Sequence, residues 1–272
     1  SNKAVQQTDL LIAVGARFSD RVTSRTDRFA QQAKVLHLDI DPAEINKNVQ
    51  SMLSVIGDLK LVLSRILEEL PERTESEWNG DIAEWKKQVP AAHSRKADLL
   101  PRFVIEKVAE AVGPEAIVAT DVGQHQMWTA QFYPFKKSRS FLSSGGLGTM
   151  GYGLPAAIGA KIGRPDLPVI DIAGDGSIQM NIQELATAVQ YQLPVIVCIL
   201  NNQFLGMVRQ WQGLFYGGRY SSTDMSHQPD FVKLAEAYGA IGIRVSREEE
   251  LDHALEQALQ VTDRPVVLDI LV

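Results

Sequence analysis

Two short polar segments, each preceded by an apolar run, carry residues suited to metal chemistry. Gly174-Asp-Gly-Ser177 follows the apolar stretch 167–173, and Asn201-Asn202 follows the stretch 195–200. Both stretches are rich in β-branched residues, which predicts buried strands. Carboxylate and amide oxygens at strand ends are the hard ligands that Mg²⁺ prefers, and no His/Cys cluster competes for a softer metal. The two segments therefore predict a divalent cation clamped onto a diphosphate.

The sequence between the two strands predicts the helix of a βαβ unit. Asn181 and Glu184 have the spacing of a capping box. Gly174 and Gly176 predict a tight turn with close backbone approach. Parallel strands joined in this way deliver both polar segments to one sheet edge. The alternative, an ordinary turn followed by an ordinary strand end, stays open at this point. The apolar residues of the helix share one face: Ile182, Leu185, Ala186 and Val189.

The rest of the chain alternates apolar runs with helical periodicity. This alternation predicts an α/β fold with a doubly wound parallel sheet. Polar residues 72–98, with Trp78 and Trp85 seven apart, predict a linker containing a short amphipathic helix. The predicted domains are therefore 1–71 and 99–272. Further predicted strands are 10–14, 35–40, 116–120, 240–245 and 266–272, and predicted helices are 59–70, 101–112, 231–238 and 248–259.

Composition excludes several classes of function. The net charge of −6 argues against nucleic acid or an anionic membrane as partner. No apolar run reaches the length of a membrane span, and no secretory leader is evident. The single cysteine, Cys198, lies within a predicted strand and is interpreted as a buried structural thiol rather than a nucleophile. A reducing, cytoplasmic setting fits this usage.

The predicted βαβ unit resembles the signature of thiamine diphosphate-dependent decarboxylases and carboligases. In that family the aspartate and the second asparagine bind Mg²⁺ together with a carbonyl two residues later. The resemblance implies Asp175, Asn202 and the backbone of Phe204 as metal ligands, with Gly174, Gly176 and Ser177 at the diphosphate. It also implies a thiamine diphosphate-binding fold for the second domain, preceded by the C-terminal part of a Rossmann-like FAD-binding middle domain.

A glycine-rich string narrows the resemblance. Residues 144–160 are similar to the acetohydroxyacid synthase (acetolactate synthase) catalytic subunit. The G-x-G-x-x-G match at 146–151 follows no convincing strand, so it is not interpreted as a dinucleotide fingerprint. In the family the residue at Gly148 presents its carbonyl to the aminopyrimidine, and the one at Met150 wedges under the cofactor. Without the family, Met150 is equally a core-filling side chain.

Two further segments match the same family. Val122, Gly123, Gln124 and His125 match residues that contact the diphosphate, although a histidine here is equally a structural residue. Residues 201–212 match the segment in which Gly206 and Met207 contact the cofactor. There Met207, Val208 and Trp211 line the substrate pocket, and the tryptophan favours 2-ketobutyrate as second substrate. Without the family, Trp211 belongs to an aromatic cluster of a core or an interface.

The first domain resembles the flavin-binding part of the same enzymes. Residues 15–22 are similar to an FAD-contacting segment, with Ser19 in place of an aspartate. Arg21 matches the arginine that holds the carboxylate of the second 2-ketoacid, a role suited to guanidinium. The alternative is an exposed, salt-bridged arginine. The implied FAD-contacting residues are Gly15, Ala16, Arg17, Arg21, Val22, Asp39, Ile40, Gly57 and Asp58.

The resemblance implies an enzyme that decarboxylates pyruvate and joins the two-carbon unit to a second 2-ketoacid, pyruvate or 2-ketobutyrate. The products, 2-acetolactate and 2-aceto-2-hydroxybutyrate, enter branched-chain amino-acid synthesis. FAD is required without a net redox role, and the subunits form homodimers or homotetramers with a small regulatory subunit. No segment here matches the pyrimidine domain that supplies the activating glutamate, so we expect this chain alone to be inactive. The implied catalytic residues are Gly148, Met150, Arg21 and Trp211.

Three other interpretations remain open on the sequence. A glyoxylate carboligase is the nearest rival, but Arg21 and the string 207–212 favour acetohydroxyacid synthase. A pyruvate oxidase would instead cycle its flavin during turnover. A non-enzymatic interaction module would have no need to keep both Asp175 and Asn202.

Overall fold

The computed structural model describes residues 2–72, 76–87 and 99–272. The chain divides into two compact units, Ser1–Ala91 and Ala92–Val272. Each unit is built on its own parallel sheet.

The predicted linker falls only partly on described residues, because 73–75 and 88–98 lie outside them. Residues Glu77–Lys87 form a helix on which Trp78 packs edge-on against Trp85, with ring centroids 5.4 Å apart. The predicted linker helix is therefore confirmed. The proposed domain boundaries at 71 and 99 stay a prediction.

The first unit contains a three-stranded parallel sheet in the order β1-β2-β3. Its small core comprises Ala13, Phe18 and Val35. The predicted strand at 35–40 is confirmed one residue earlier, and the short β3 was not predicted. The elements are α1 (Asn2–Gln7), β1 (Leu10–Val14), α2 (Asp20–Thr23), β2 (Lys34–Asp39), β3 (Leu53–Ile56), α3 (Leu59–Glu69) and α4 (Glu77–Lys87).

The second unit contains a six-stranded, entirely parallel sheet in the order β5-β4-β6-β7-β9-β8. This arrangement confirms the predicted α/β class. Its elements are α5 (Pro101–Val112), β4 (Ile117–Thr120), α6 (Gln124–Phe132), β5 (Phe141–Ser143), α7 (Gly153–Gly163), β6 (Val169–Gly174), α8 (Asp175–Ile178), α9 (Leu185–Gln190), β7 (Val195–Asn201), α10 (Gly206–Phe215), α11 (Phe231–Ala237), β8 (Ile241–Val245), α12 (Glu248–Gln260) and β9 (Val266–Leu271).

Separate hydrophobic cores cover the two faces of this sheet, as a doubly wound fold requires. Successive side chains of a strand point to opposite faces. Ile170 and Ile172 therefore pack in the core that includes α5 and α12 residues, whereas Val169 and Ala173 pack in the core that includes α7 and α11 residues. Every residue of β6 and β7 is buried. Burial on both faces explains why these strands are continuous apolar runs.

The order of the strands creates a crevice at one edge of the sheet. β5 lies on one side of β4, and β6 lies on the other side. In open α/β sheets, ligands bind outside the carboxyl ends of the strands where the order reverses in this way. The segment after β4 and the segment after β6, which hold His125 and Asp175, both start at this edge.

Two local predictions around these strands are wrong. Asp175–Ile178 forms one helical turn instead of a tight loop turn. Asn181 makes no side-chain cap and is followed by the 3-10 turn Ile182–Glu184, so the predicted capping box is absent. Asn181 Nδ2 instead donates to the carbonyl of Gly151 at 2.8 Å. A tertiary contact has thus replaced the local cap that the spacing favoured.

Candidate functional site

Asp175 lies at the carboxyl end of β6 with one carboxylate oxygen held ready for a ligand. Its side chain is buried, and Oδ2 has no hydrogen-bond partner among the described residues. Burial raises the pKa of Asp175 to about 6, while the backbones of Gly176 and Gln203 and the side chain of Gln228 favour its ionised form. Gln228 Oε1 is likewise buried without a partner in the described chain. Unpartnered acceptor oxygens are the pattern that a bound cation satisfies.

Asn202 follows β7, the strand next to β6, and the register pairs Gly174 with Leu200. Asn202 Oδ1 accepts a hydrogen bond from the Phe204 backbone N–H at 3.0 Å. The loop is held from outside as well, because Leu205 N donates to the Thr223 carbonyl at 2.9 Å. The predicted ligands Asp175, Asn202 and Phe204 thus follow the ends of adjacent strands.

An open cleft of about 460 Å³ lies beside these residues. One wall carries Arg209, whose guanidinium lies 4.1 Å from the ring centre of Phe204 and 4.0 Å from that of Tyr220. Two side chains that line the cleft are hydrogen-bonded to each other, because Gln124 Nε2 donates to Gln210 Oε1 at 3.1 Å. The cleft is lined by Gln124, Asn202, Phe204, Gly206, Arg209, Gln210, Gly213, Leu214 and Tyr220.

The donor set fits a hard divalent ion better than a soft one. No group of three His, Cys, Asp or Glu side chains able to hold a metal occurs within the described ranges. A carboxylate, an amide and a backbone carbonyl beside an open cleft leave coordination positions for phosphate oxygens and water, as Mg²⁺ requires. The residues present therefore fit Mg²⁺ bridging to a diphosphate.

Asp121, which the sequence did not single out as a site residue, anchors the glycine-rich segment to the end of β4. Its Oδ1 accepts the N–H of Gly153, the first residue of α7, at 2.9 Å. The backbone of Gly151 and the hydroxyl of Ser177 also favour its ionised form, while burial raises its pKa. Asp121 thereby joins the glycine segment to the turn that carries Asp175. Only its place directly after a strand could have signalled this role.

Gly153 packs against a second buried acid, Asp171 in the middle of β6. A Cβ at Gly153 would overlap Asp171 Oδ1 and lie 2.6 Å from the Asp121 backbone nitrogen. Neither carboxyl oxygen of Asp171 has a partner among the described residues. Burial, with the charge of Asp121, raises the pKa of Asp171 well above its usual value. The Asp171 carboxyl is therefore harder to ionise than an exposed aspartate.

The predicted cofactor residues Gly148 and Met150 lie between β5 and α7. Gly148 is exposed and adopts a φ of 69°, and its N–H donates to the Ser144 carbonyl at 3.1 Å. Gly151 adopts a φ of 87°, where a Cβ would lie 2.8 Å from Asn181 Nδ2. Met150 is half-buried. This segment is thus a fixed turn between two anchored ends.

His125 is buried near the start of α6, against the glycines at 123 and 174. Burial lowers its pKa to about 4, so the ring is neutral at pH 7. Its Nε2 has no partner among the described residues, and its backbone carbonyl accepts from the Thr129 hydroxyl at 2.8 Å. The neighbouring predicted residues Val122, Gly123 and Gln124 are half-buried.

Models of known families match both units. The model described as "Thiamine pyrophosphate enzyme, C-terminal TPP binding domain" matches residues 121–270. The chain belongs to the thiamine pyrophosphate enzyme family. A second model, "Thiamine pyrophosphate enzyme, central domain", matches residues 1–66. This family membership supports thiamine diphosphate as the cofactor.

Three relatives of this chain are named acetolactate synthase or a large subunit of that enzyme. The chain is 50% identical to the acetolactate synthase of Mycobacterium leprae, over 99% of this chain and 45% of that protein. Its identity with the acetolactate synthase large subunit of Corynebacterium glutamicum is also 50%, with the same coverage. It is 44% identical to the acetolactate synthase isozyme 3 large subunit of Escherichia coli, over 100% of this chain and 49% of that protein. The chain spans about half the length of these relatives.

The predicted substrate-pocket residues of the thiamine pyrophosphate enzyme lie on α10, a helix that was not predicted. Met207 is half-buried, whereas Val208 and Trp211 are 46% and 47% exposed. Leu214, Phe215 and Tyr216 are more exposed still. The aromatic cluster is therefore not a core within this unit, and one of the two structural alternatives is excluded.

The predicted flavin residues follow the strands of the first unit at its carboxyl edge. Gly15 N donates to the Leu38 carbonyl at 2.8 Å, and Gly57 N donates to the Asp39 carbonyl at 3.0 Å. A cleft of about 430 Å³ is lined by residues 17–20 and neighbours. The other predicted residues of this edge differ in burial: Ala16 is half-buried, and Arg17, Arg21, Val22, Ile40 and Asp58 are exposed.

Two of these flavin residues also have structural roles. Asp39 Oδ1 accepts the Asp41 N–H at 2.9 Å. Asp58 Oδ1 caps α3 by accepting the N–H groups of Lys60 and Leu61 at 2.9 and 3.1 Å. Arg21 has no ion pair with any described residue in the structure, so the salt-bridge alternative gains no support.

Across the described residues, the helices are too short or too polar to cross a membrane.

Proposed function

We propose that this chain is part of an acetolactate synthase catalytic subunit that binds thiamine diphosphate through Mg²⁺. The observation that carries the proposal is the buried, unpartnered Oδ2 of Asp175 beside Asn202, at the ends of adjacent parallel strands. The relatives named acetolactate synthase support the choice of activity within the family.

Each predicted residue of the cleft has a role in this proposal. Asp175, the Asn202 side chain and the Phe204 carbonyl hold Mg²⁺, while the segment at 122–125 and the turn at 174–177 receive the diphosphate. Gly148 and Met150 orient the cofactor rings, and Gly206 and Met207 complete its surroundings. When bound, thiamine diphosphate supplies carbanion stabilisation, and the protein supplies binding, orientation and electrostatics.

The proposed substrates are pyruvate and a second 2-ketoacid, pyruvate or 2-ketobutyrate. Trp211 and Val208 would contact the second substrate, and Arg21 would hold its carboxylate. FAD would bind at the carboxyl edge of the first sheet without a net redox change. The proposal includes a cytoplasmic role in branched-chain amino-acid synthesis, a homo-oligomer and a small regulatory subunit. The expected inactivity of this chain alone stays a prediction, tested by assaying it for acetolactate.

The metal assignment predicts the effect of Asp175→Ala. Removing the anionic ligand should reduce Mg²⁺-dependent binding of thiamine diphosphate by more than the roughly 10- to 100-fold cost of losing an outer partner. Isothermal titration calorimetry of the chain, with and without Mg²⁺, measures this change. The control is Asp166→Ala, because Asp166 is exposed and pairs only with Arg164 at 2.7 Å. Equal affinity in the Asp175 variant and the wild type would reject the metal site.

The substrate assignment predicts the effect of Trp211→Leu. In the catalytically active protein that contains this chain, the change should lower the fraction of 2-aceto-2-hydroxybutyrate when pyruvate and 2-ketobutyrate compete. Because Trp211 is 47% exposed, the free energy of unfolding should change by only about 0.5 kcal/mol. Product ratios by mass spectrometry test this, with Phe215→Leu on the same helix as control. An unchanged ratio would remove Trp211 from the pocket.

A further inference from the structure

A chain of hydrogen bonds runs from the side of the sheet through Asn201 to Gln228. It begins at Asp269, a buried residue of β9, which lies opposite Arg244 of β8 in the parallel register. Asp269 Oδ2 accepts Arg244 Nε at 3.2 Å and Nη2 at 3.1 Å. Arg244 Nη2 also donates to Asp230 Oδ1 at 2.8 Å. The guanidinium therefore lies between two carboxylates and pairs with both.

The Asp269 carboxylate, which pairs with Arg244, fixes which way the next side chain faces. Asp269 Oδ1 accepts Asn201 Nδ2 at 2.8 Å. A carboxylate can only accept, so the nitrogen of the Asn201 amide must face Asp269 and the oxygen must face away. Asn201 Oδ1 then accepts Gln228 Nε2 at 2.7 Å and the Gln203 N–H at 3.2 Å.

Both donors that meet Asn201 also face the Asp175 carboxylate. The Gln203 backbone and the Gln228 side chain each stabilise its ionised form. Gln228 is itself held in place, because its backbone N–H donates to the Met225 carbonyl at 3.0 Å, and Met225 N donates to the Gln203 carbonyl at 2.8 Å. The donors at Asp175 are therefore oriented through Asn201 by a carboxylate on a different strand.

We propose that Arg244, Asp269, Asn201 and Gln228 form a relay of fixed hydrogen-bond polarity that positions Asp175 for its cation. Arg244 and Asp269 are positioning residues, and they act through the amides of Asn201 and Gln228. The first asparagine of the Asn-Asn pair thus orients the site, while the second is the proposed ligand. This inference rests on the proposed metal site at Asp175.

The relay is tested by reversing its polarity. In Asp269→Asn, the oxygen of the new amide must face Arg244, so its nitrogen faces Asn201. Asn201 must then turn its oxygen toward residue 269, and Gln228 Nε2 loses its acceptor. Partners behind a metal ligand typically contribute 10- to 100-fold to metal affinity, and we expect a loss of about that size. The measurement is Mn²⁺ affinity by electron paramagnetic resonance, with thiamine diphosphate present.

A double variant restores the polarity without restoring the original residues. In Asn201→Asp with Asp269→Asn, the amide at 269 donates to the carboxylate at 201, which again accepts from Gln228 Nε2. Mn²⁺ affinity should return toward the wild-type value, which a loss of packing alone would not produce. Asp263→Asn is the matched control, because Asp263 is exposed and pairs only with Arg264 at 2.7 Å.

Two further measurements keep the test independent of folding and of activity. Gln228→Met removes the donor from a half-buried loop position and should weaken Mn²⁺ binding as Asp269→Asn does. In metal-free protein, the side-chain amide resonances of Gln228 should move in Asp269→Asn and return in the double variant.

The outcomes separate the relay from the metal site. If wild type binds Mn²⁺ and Asp175→Ala does not, but Asp269→Asn and Gln228→Met bind as wild type does, the relay is overturned and the metal site stands. Failure of the double variant to recover, while it remains folded, also overturns the relay. If wild type binds no Mn²⁺, or if Asp175→Ala binds equally well, the proposed metal site is overturned, and the relay with it.

Discussion

The carboxyl edges of the two sheets differ in how their polar residues are held. At the edge of the six-stranded sheet, Asp121, His125 and Asp175 are buried, and Asp121 is bonded directly to the glycine segment. At the edge of the three-stranded sheet, Arg21 and Ile40 are exposed. Both edges follow the ends of parallel strands. At the six-stranded edge the polar groups are held by bonds from distant segments, whereas Asp39 and Asp58 at the three-stranded edge are held by bonds to their own neighbours.

The difference shows what burial adds to topology. A parallel sheet brings residues to one edge, but desolvation and hydrogen bonds from other segments decide whether they form a preorganised site. In the second unit these bonds come from α7, from the loop after β7 and from residues 223–228. In the first unit the side-chain bonds of Asp39 and Asp58 are local, as in the cap that Asp58 provides for α3.

The largest expected effect at the edge of the six-stranded sheet comes from Gly153→Ala. The added Cβ would overlap the Asp171 carboxyl and press on the Asp121 backbone. We expect a loss of about 3 to 4 kcal/mol in the free energy of unfolding, because a buried acid must move in a packed core. Urea denaturation measures the change.

Gly159→Ala is the control for this substitution on the same helix. A Cβ at Gly159 meets nothing within 4 Å. The Gly159→Ala substitution should stabilise the protein by about 0.5 to 1 kcal/mol, because alanine has a higher helix propensity than glycine. Similar unfolding free energies for the two variants would show that Gly153 makes no critical close approach.

The burial of His125 predicts that the free energy of unfolding depends on pH. Its pKa falls from 6.5 to about 4 on folding, so between these pH values the unfolded chain binds a proton that the folded chain does not. The free energy of unfolding therefore decreases as pH falls through this window. His125→Gln should remove about 2 to 3 kcal/mol of that decrease. Urea denaturation between pH 4 and about pH 8 measures it.

His253→Gln provides the comparison, because His253 is exposed on α12. This variant makes the same substitution at an exposed position. The raised pKa of Asp175 changes the free energy of unfolding with pH in the opposite direction. This contribution is present in the wild type and in both variants, so it largely cancels when their slopes are compared. An unchanged slope in His125→Gln would mean that the ring is not held neutral.

The smallest predicted effect concerns Asp58 at the first edge. Asp58→Ala should cost about 1 kcal/mol through loss of the α3 cap, and Asp58→Ser should recover most of it. Thermal unfolding measures this effect, and titration with FAD measures any role in binding. If FAD affinity falls equally in both variants, the carboxylate contacts the flavin. If FAD affinity falls in Asp58→Ala and recovers in Asp58→Ser, Asp58 acts by holding α3.

The sequence was sufficient for the elements with strong periodicity. The bounds 10–14 and 101–112 are confirmed as predicted, and the strand at 195–200 is extended only to Asn201. These segments carry local signals, namely the apolar runs at 10–14 and 195–200 and Pro101 at a helix start. The proposed ligands Asp175 and Asn202 could likewise be identified by their places after two apolar runs.

Other features depend on contacts between distant residues. Asn181 has the spacing of a cap but bonds to Gly151, thirty positions earlier. Gln228 stands in a polar loop, and Asp269 is an acid within an apolar strand, so neither has a local signal for a site. Helix α10 was missed although Val208, Trp211 and Phe215 have helical spacing, and its apolar face is exposed in the second unit. Such pairings become visible only in three dimensions.

The position of Cys198 has a practical consequence. It is the single thiol of the chain and lies fully buried in β7, between the two cores of the six-stranded sheet. A reagent that modifies thiols can reach it only when this sheet opens. The rate at which Cys198 is labelled in dilute denaturant therefore measures the opening of the second unit. The measurement needs no engineered cysteine.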